Sequence, residues 1–341
     1  MSFFYKMVQN RVLWAKKVLR CSLCCKFIRF IVQELIMAII TKIEIANFFG
    51  KGNFVWDLDP QVNILGGKNG SGKTSILRIC YSLLSNTIIN NKQDDFFSKL
   101  FDNVCLTFDN GWSLVWNKKN SEDTVRDDAF SFFDEKKEKI TAEDWKNEIQ
   151  VFYLNTFEQR LYQVHQYEKL FSVNKIDDSV LLDLMIKDQI NIRNGFISKI
   201  AEKIVSQREK GVGNPIETLV YYTKLYSKIF KSLEKFFVDY DKPFESDFSF
   251  KKNGEIIGVE GLSMGEKQIL LILLMVSNTE NSPCIFFMDE PDLSMHIDWK
   301  EIQVTELHKL NPNMQIILST HAPSVITGWH DCVKEVEQLI R

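Results

Sequence analysis

The chain predicts an α/β fold, and three runs of residues carry that reading. Val62-Asn63-Ile64-Leu65 is a short apolar strand that feeds Gly67-Lys68-Asn69-Gly70-Ser71-Gly72-Lys73-Thr74, after which helical spacing begins. Cys284-Ile285-Phe286-Phe287-Met288 is a buried-type strand ending in Asp289-Glu290. Met314 to Leu318 is another, ending in Ser319-Thr320-His321. Short apolar runs bounded by glycines or charges are what strands covered by other elements look like in sequence.

The elements follow in order. Residues 1–36 hold seven Lys/Arg against one acid, Glu34. They read as an extension outside the core, with Met37 as the natural start, rather than as a basic amphipathic helix lying on a membrane or partner. Ile39 to Ala46 alternates apolar and polar residues, as a half-buried strand does. After the glycine-rich turn, Ile76, Ile79, Cys80, Leu83 and Leu84 fall on one helical face. Val104 to Phe108, the turn Asp109-Asn110-Gly111 and Trp112 to Trp116 read as a β-hairpin. Residues 117–148, mostly charged and polar, read as loop and short helix, and Ile149 to Leu154 as a strand. From Gln159 to Tyr240 the pattern is helical, broken at Gly211-Val212-Gly213-Asn214-Pro215. Each half is short for a coiled-coil arm, so a compact helical subdomain is expected. Asn253-Gly254 marks a second hairpin. The expected units are thus a front half over 37–158, a helical insertion over 159–245 and a back half over 246–341.

Composition narrows the classes. The 341 residues are 45% hydrophobic and 26% charged, an ordinary globular balance. Outside the basic first 36 residues there are 35 bases against 44 acids, so the body offers nucleic acid no global attraction and only a local basic groove would bind DNA. Seven cysteines at irregular spacing suggest free thiols in a reducing cytoplasm, and Cys21-x-x-Cys24 lacks the second pair a zinc site needs. No run approaches the ~18 uncharged apolar residues of a membrane span.

Four segments carry chemistry. Gly67 to Thr74 fits G-x-x-x-x-G-K-[ST], a loop that points backbone N–H groups at a phosphate where Cβ atoms would obstruct it. Leu262-Ser263-Met264-Gly265-Glu266-Lys267-Gln268 opens an apolar helix. Ser263 and Glu266 suit a capping box, and the same N–H groups suit an anion. A buried strand that runs into two carboxylates needs a reason, because burying charge is costly unless it is paired or metal-bound. Mg²⁺ supplies one: Asp289 would hold it with the Thr74 hydroxyl, and Glu290 would activate water for attack on a γ-phosphate. His321 stands at a strand end where a γ-phosphate sensor is required.

In that order the four segments resemble the Walker A, signature, Walker B and switch-histidine elements of ABC-type ATPases, over about residues 38 to 328. Within that group the chain looks like the OLD (overcoming lysogenization defect), RecF and SMC-like branch. Ile43-Glu44-Ile45-Ala46-Asn47-Phe48 is similar to its opening, and His296 stands where transporter heads carry Asp. Ser263 also follows Lys73 by 190 residues, more than transporter heads allow. Ile297 departs from the usual Pro of this branch.

The resemblance implies an α/β P-loop NTPase of ABC-ATPase type with an antiparallel β lobe and an inserted helical subdomain. It implies hydrolysis of ATP to ADP and phosphate, with Mg²⁺. Gly67, Lys68, Asn69, Gly70, Ser71, Gly72, Lys73, Thr74 and Ser75 would grip the nucleotide. Thr74 and Asp289 would hold the metal, and Lys73, Glu290 and His321 would serve the chemistry. Ser263, Gly265 and Glu266 would come from a second copy in a head-to-tail dimer. Gln159 is the candidate lid glutamine, with Asn155 as its rival. Phe48 or Phe49 offers an aromatic face for adenine, although core packing is the better reading of both.

OLD nucleases add a TOPRIM metal site after the ATPase; the residues after His321 hold no acidic cluster for one. The expectation is therefore a cytoplasmic ATPase controlling a separately encoded effector, plausibly a nuclease in anti-phage defence. A DNA-repair or chromosome-maintenance ATPase of RecF/SMC type would instead show tight, salt-sensitive DNA binding that stimulates hydrolysis. A transporter subunit would co-purify with a membrane permease; the long insertion and His296 count against it.

Overall fold

A computed structural model of the chain describes residues 39–85, 100–118, 130–140, 150–155, 178–241 and 247–341. The basic extension, the Cys21-x-x-Cys24 pair and Gln159 lie outside the described residues.

The front half opens with β1 (Ile40–Ala46), β2 (Phe54–Asp57) and β3 (Val62–Gly66), and the glycine-rich turn leads into α1 (Lys73–Leu84). There follow β4 (Asn103–Phe108), β5 (Ser113–Asn117), β6 (Phe130–Phe133), β7 (Lys139–Ile140) and β8 (Val151–Asn155). Two helices come next, α2 (Asp178–Lys210) and α3 (Pro215–Phe236). The back half contains β9 (Phe250–Lys252), β10 (Glu255–Ile257), α4 (Met264–Ser277), β11 (Cys284–Asp289) and α5 (Ile297–Leu310). It closes with β12 (Met314–Ser319), β13 (Val333–Glu335) and α6 (Val336–Leu339).

Two large sheets result. One is antiparallel, in the order β2-β1-β4-β5-β6-β7, and the other parallel, in the order β13-β3-β12-β11-β8. Alternation divides the parallel sheet's side chains between two cores. Leu65, Tyr153, Ile285, Phe287 and Ile317 face α1 and the antiparallel sheet. Val62, Ile64, Leu154, Phe286, Met288, Ile316 and Leu318 face the layer of α2 to α5. Gln315, fully buried, joins the two sheets: its side chain accepts from the Ile40 N–H and donates to the carbonyls of Ile40 and Asp59.

Residues 117–148 correct the expectation of loop and short helix, since β6 and β7 extend the antiparallel sheet there. The charges that suggested loop form the turn between the two strands. The Asp134 carboxylate accepts from the N–H groups of Lys136 and Glu138, with Lys137 left-handed at φ 62°. Phe132 anchors the inner face of β6 in the core.

The helical segment also differs from a compact subdomain. α2 runs for 33 residues and α3 starts from Asn214, whose side chain caps the N–H groups of Ile216 and Glu217 ahead of Pro215 at the first helical position. Only the halves nearest the core are buried, through Leu181, Ile186, Ile229 and Leu233. The distal halves leave even Val205, Ile216 and Tyr221 exposed, so the pair projects as a helical hairpin.

Candidate functional site

The C-terminal ends of parallel strands are where α/β sheets bind ligands, because the chain leaves each strand there to form a loop or a helix start. β3, β12 and β11 are neighbours, so the glycine-rich loop, the Ser319-Thr320-His321 segment and Asp289-Glu290 share one edge.

The loop needs its glycines. Gly67, Gly70 and Gly72 take φ values of 134°, 75° and 106°, which favour residues without Cβ. At Gly72 an added Cβ would also stand 2.6 Å from Phe48 Cζ and 2.8 Å from Phe49 Cε2. Phe48 is fully buried beneath the loop, its ring 4.5 Å from that of Phe49, so packing accounts for Phe48.

Lys73 is only 5% exposed, and its Nζ donates to the carbonyls of Gly67 at 3.0 Å and Lys68 at 3.1 Å. Burial pushes its pKa down, against the opposing pull of Glu290, Glu337 and Asp289. An ammonium buried against carbonyls of a glycine-rich turn at the start of a helix suits a phosphate chain. The residues therefore fit a nucleoside triphosphate.

The metal position has hard oxygen donors. The Thr74 hydroxyl donates to Asp289 Oδ1 at 3.2 Å, and the Ser319 hydroxyl donates to the same oxygen. Among the described residues no three His, Cys, Asp or Glu side chains gather into a metal site of their own. A single carboxylate with a hydroxyl beside phosphates is how Mg²⁺ is commonly held.

Glu290 is left-handed at φ 48°, and its N–H donates to Ser319 O at 3.0 Å. This turns its carboxylate toward His321, with Oε1 3.4 Å from Nε2. Below them Asp292 is buried and accepts from the Thr320 hydroxyl at 2.9 Å and from Lys300 Nζ at 3.0 Å. Sequence reading missed Ser319, Asp292 and Lys300; the pairing of β11 with β12 sets Ser319 beside Asp289 and Thr320 beside Asp292, which Lys300 reaches from α5.

Ser263, Gly265 and Glu266 are elsewhere. Ser263 caps α4 in a full capping box: its Oγ accepts from Glu266 N–H while Glu266 Oε2 accepts from Ser263 N–H. α4 packs in the helical layer, on the opposite face of the parallel sheet from α1. It is tied to the turn after β11 by Gln268 Nε2, which donates to Pro291 O at 2.9 Å. A Cβ on Gly265 would stand 2.5 Å from Ser294 O. Lys267, 1% exposed, is paired with Asp183 of α2 at 2.7 Å and donates to the Ser179 hydroxyl.

Ser75 sits in the first turn of α1, whereas Lys68, Asn69 and Gly70 are exposed on the loop. Asn155 ends β8 in register with Asp289. Cys80, Cys105, Cys284 and Cys332 are free thiols.

The family profile described as "RecF/RecN/SMC N terminal domain" matches residues 39–338. The chain is 29% identical over 225 residues to "Retron Vc95 probable ATPase" of Vibrio cholerae serotype O1 biovar El Tor, covering 59% of this chain and 42% of that protein. It is 25% identical over 167 residues to "Retron Ec83 probable ATPase" of Escherichia coli, covering 43% of this chain and 30% of that protein. Both matches span less than half of the relatives' own length. In fold it is similar to the SmcHead solved with the C-winged helix domain of ScpA, with a TM-score of 0.53 and 12% identity over 85% of this chain and 91% of that one.

Proposed function

From the premise that the chain belongs to the RecF/RecN/SMC N-terminal domain family, we propose that it is an ATPase that turns ATP over between two copies of itself. One observation carries this. α1, which the phosphate loop leads into, and α4, which Ser263 caps, pack on opposite faces of the parallel sheet, which supports a site in which one chain supplies the loop and another the capped helix start. A second copy, turned head to tail, would bring Ser263, Gly265 and Glu266 onto the phosphates held by residues 67–75.

In this reading the loop N–H groups and Lys73 hold the triphosphate, and Thr74 and Asp289 would hold Mg²⁺. The ion, when bound, offsets the charge on the phosphates. Glu290 accepts a proton from the attacking water, and His321 orients Glu290 and senses the γ-phosphate. Asn155, at the β8 end, and Gln159 remain the candidates for the lid position.

Because ATP would close the dimer and hydrolysis release it, nucleotide becomes a shape switch. The retron names of two relatives support a second part of the proposal, in which the switch controls a separately encoded effector, a nuclease acting in anti-phage defence. Among the described residues no helix is long and apolar enough to cross a membrane. Size-exclusion chromatography of Glu290→Gln with and without ATP tests the sandwich; a monomer under saturating ATP sinks it. Native pull-down tests the effector, and unaided DNA cleavage by the purified protein would count against that part.

A further inference from the structure

The far C-terminal segment crosses the phosphate loop on its way between the two sheets. β13 pairs with β3 as far as Glu335 opposite Gly66, the last residue before the loop. At the other end Ile340 bridges Phe54 of β2, and Asn53 and Arg341 exchange backbone hydrogen bonds of 2.9 and 2.8 Å. Between these anchors, α6 lays the Glu337 side chain on the loop. Glu337 Oε1 accepts from the Lys68 N–H at 3.2 Å, and Oε2 stands 2.9 Å from where a Cβ on Gly67 would be.

We propose that Glu337 is a built-in counter-anion of the phosphate loop, spending part of the loop's attraction for anions until a nucleoside triphosphate competes for it. The geometry is deliberate in two respects. Both ends of the segment are pinned by backbone pairing, so the carboxylate is presented rather than left to wander in solvent. Gly67 leaves open the space its second oxygen occupies, and the same opening is lined by Ser71 Oγ, 3.1 Å from that Cβ position. The carboxyl is held below its usual range, first by its own backbone N–H and then by the Lys68 N–H and the charges of Lys68 and Lys73. A group that feels the loop's positive field is one that a phosphate entering that field must work against.

The consequence is a set affinity. Glu337 lowers the loop's attraction for every anion, which favours emptying of the site once the product is formed. This inference rests on nucleotide binding at residues 67–74 but not on the two-copy sandwich. Its test uses the full chain and equilibrium titration with a fluorescent ATP analogue plus Mg²⁺.

Glu337→Gln keeps the shape and the acceptor for Lys68 while removing the charge. It should bind about fivefold more tightly at ~50 mM salt, with the gain fading toward ~0.5 M as the shorter Debye length screens the carboxylate. Unchanged or weaker binding in a folded Glu337→Gln protein overturns the proposal. Should that variant fail to fold, Glu337→Asp carries the same test, because the shorter side chain withdraws its oxygens from the loop and should also tighten binding. Lys73→Ala, measured alongside, separates the two levels: if it binds like wild type the loop is not the nucleotide site, whatever Glu337 does.

Discussion

Glu290 and His321 lie just beyond the ends of the neighbouring parallel strands β11 and β12 and face each other across 3.4 Å, with the Ser319 carbonyl fixing the backbone of Glu290. In the proposed mechanism Glu290 would accept the water proton and His321 would orient Glu290. The pair depends on the register of β11 with β12, which sets Asp289 opposite Ser319.

Glu290→Gln keeps the shape of that pair and removes the proton acceptor. Steady-state ATPase should fall by about 10²- to 10⁴-fold while ATP still binds. On a sizing column with ATP the variant should run as a dimer. His321→Ala should lose most of its turnover as well, with nucleotide affinity little changed.

Lys73→Ala removes the only side-chain ammonium buried at the loop among the described residues. Equilibrium titration should show ATP binding lost, and thermal melting should show the fold retained, because the lysine's partners in the protein are two backbone carbonyls. Retained ATP binding would mean that the loop is not the phosphate site.

Ser263→Arg tests the sandwich from its other half. Losing the cap should cost about 1 kcal/mol of stability, readable as a modest fall in Tm. Hydrolysis should be blocked, and single-subunit ATP binding should stay near wild type. Turnover at the wild-type rate would remove Ser263 from the reaction.

Asp183→Ala leaves Lys267 buried without its carboxylate. Breaking a buried pair on one side costs about 3–5 kcal/mol, which denaturant unfolding would report. Replacing both partners, with Lys267→Met and Asp183→Leu, should recover most of that loss. If the single substitution is silent, the docking of α2 on α4 does not depend on the pair.

Gly265→Ala tests a close approach rather than an unusual backbone. The added methyl would stand 2.5 Å from Ser294 O, so α4 and the turn after β11 must separate. Reduced ATPase with a small loss of Tm is expected; wild-type turnover would show that the turn yields freely.

Short-range features were legible in the residues alone. Gly67 to Thr74 between an apolar strand and an amphipathic helix, Ser263 three residues before Glu266, and Asn253-Gly254 between two strands are each determined by atoms a few bonds apart. Local sterics and capping therefore declare them. β6 was hidden for the opposite reason: its turn is charged, and among the described residues of its inner face it is Phe132 that reports burial. Tertiary structure alone decided that Thr74 and Ser319 converge on Asp289, that α4 packs across the sheet from α1, and that Glu337 lies against Lys68 from 269 residues away. Those relationships come from strand order and register, which no run of neighbouring residues encodes because the hydrogen bonds that set them join segments far apart in the chain.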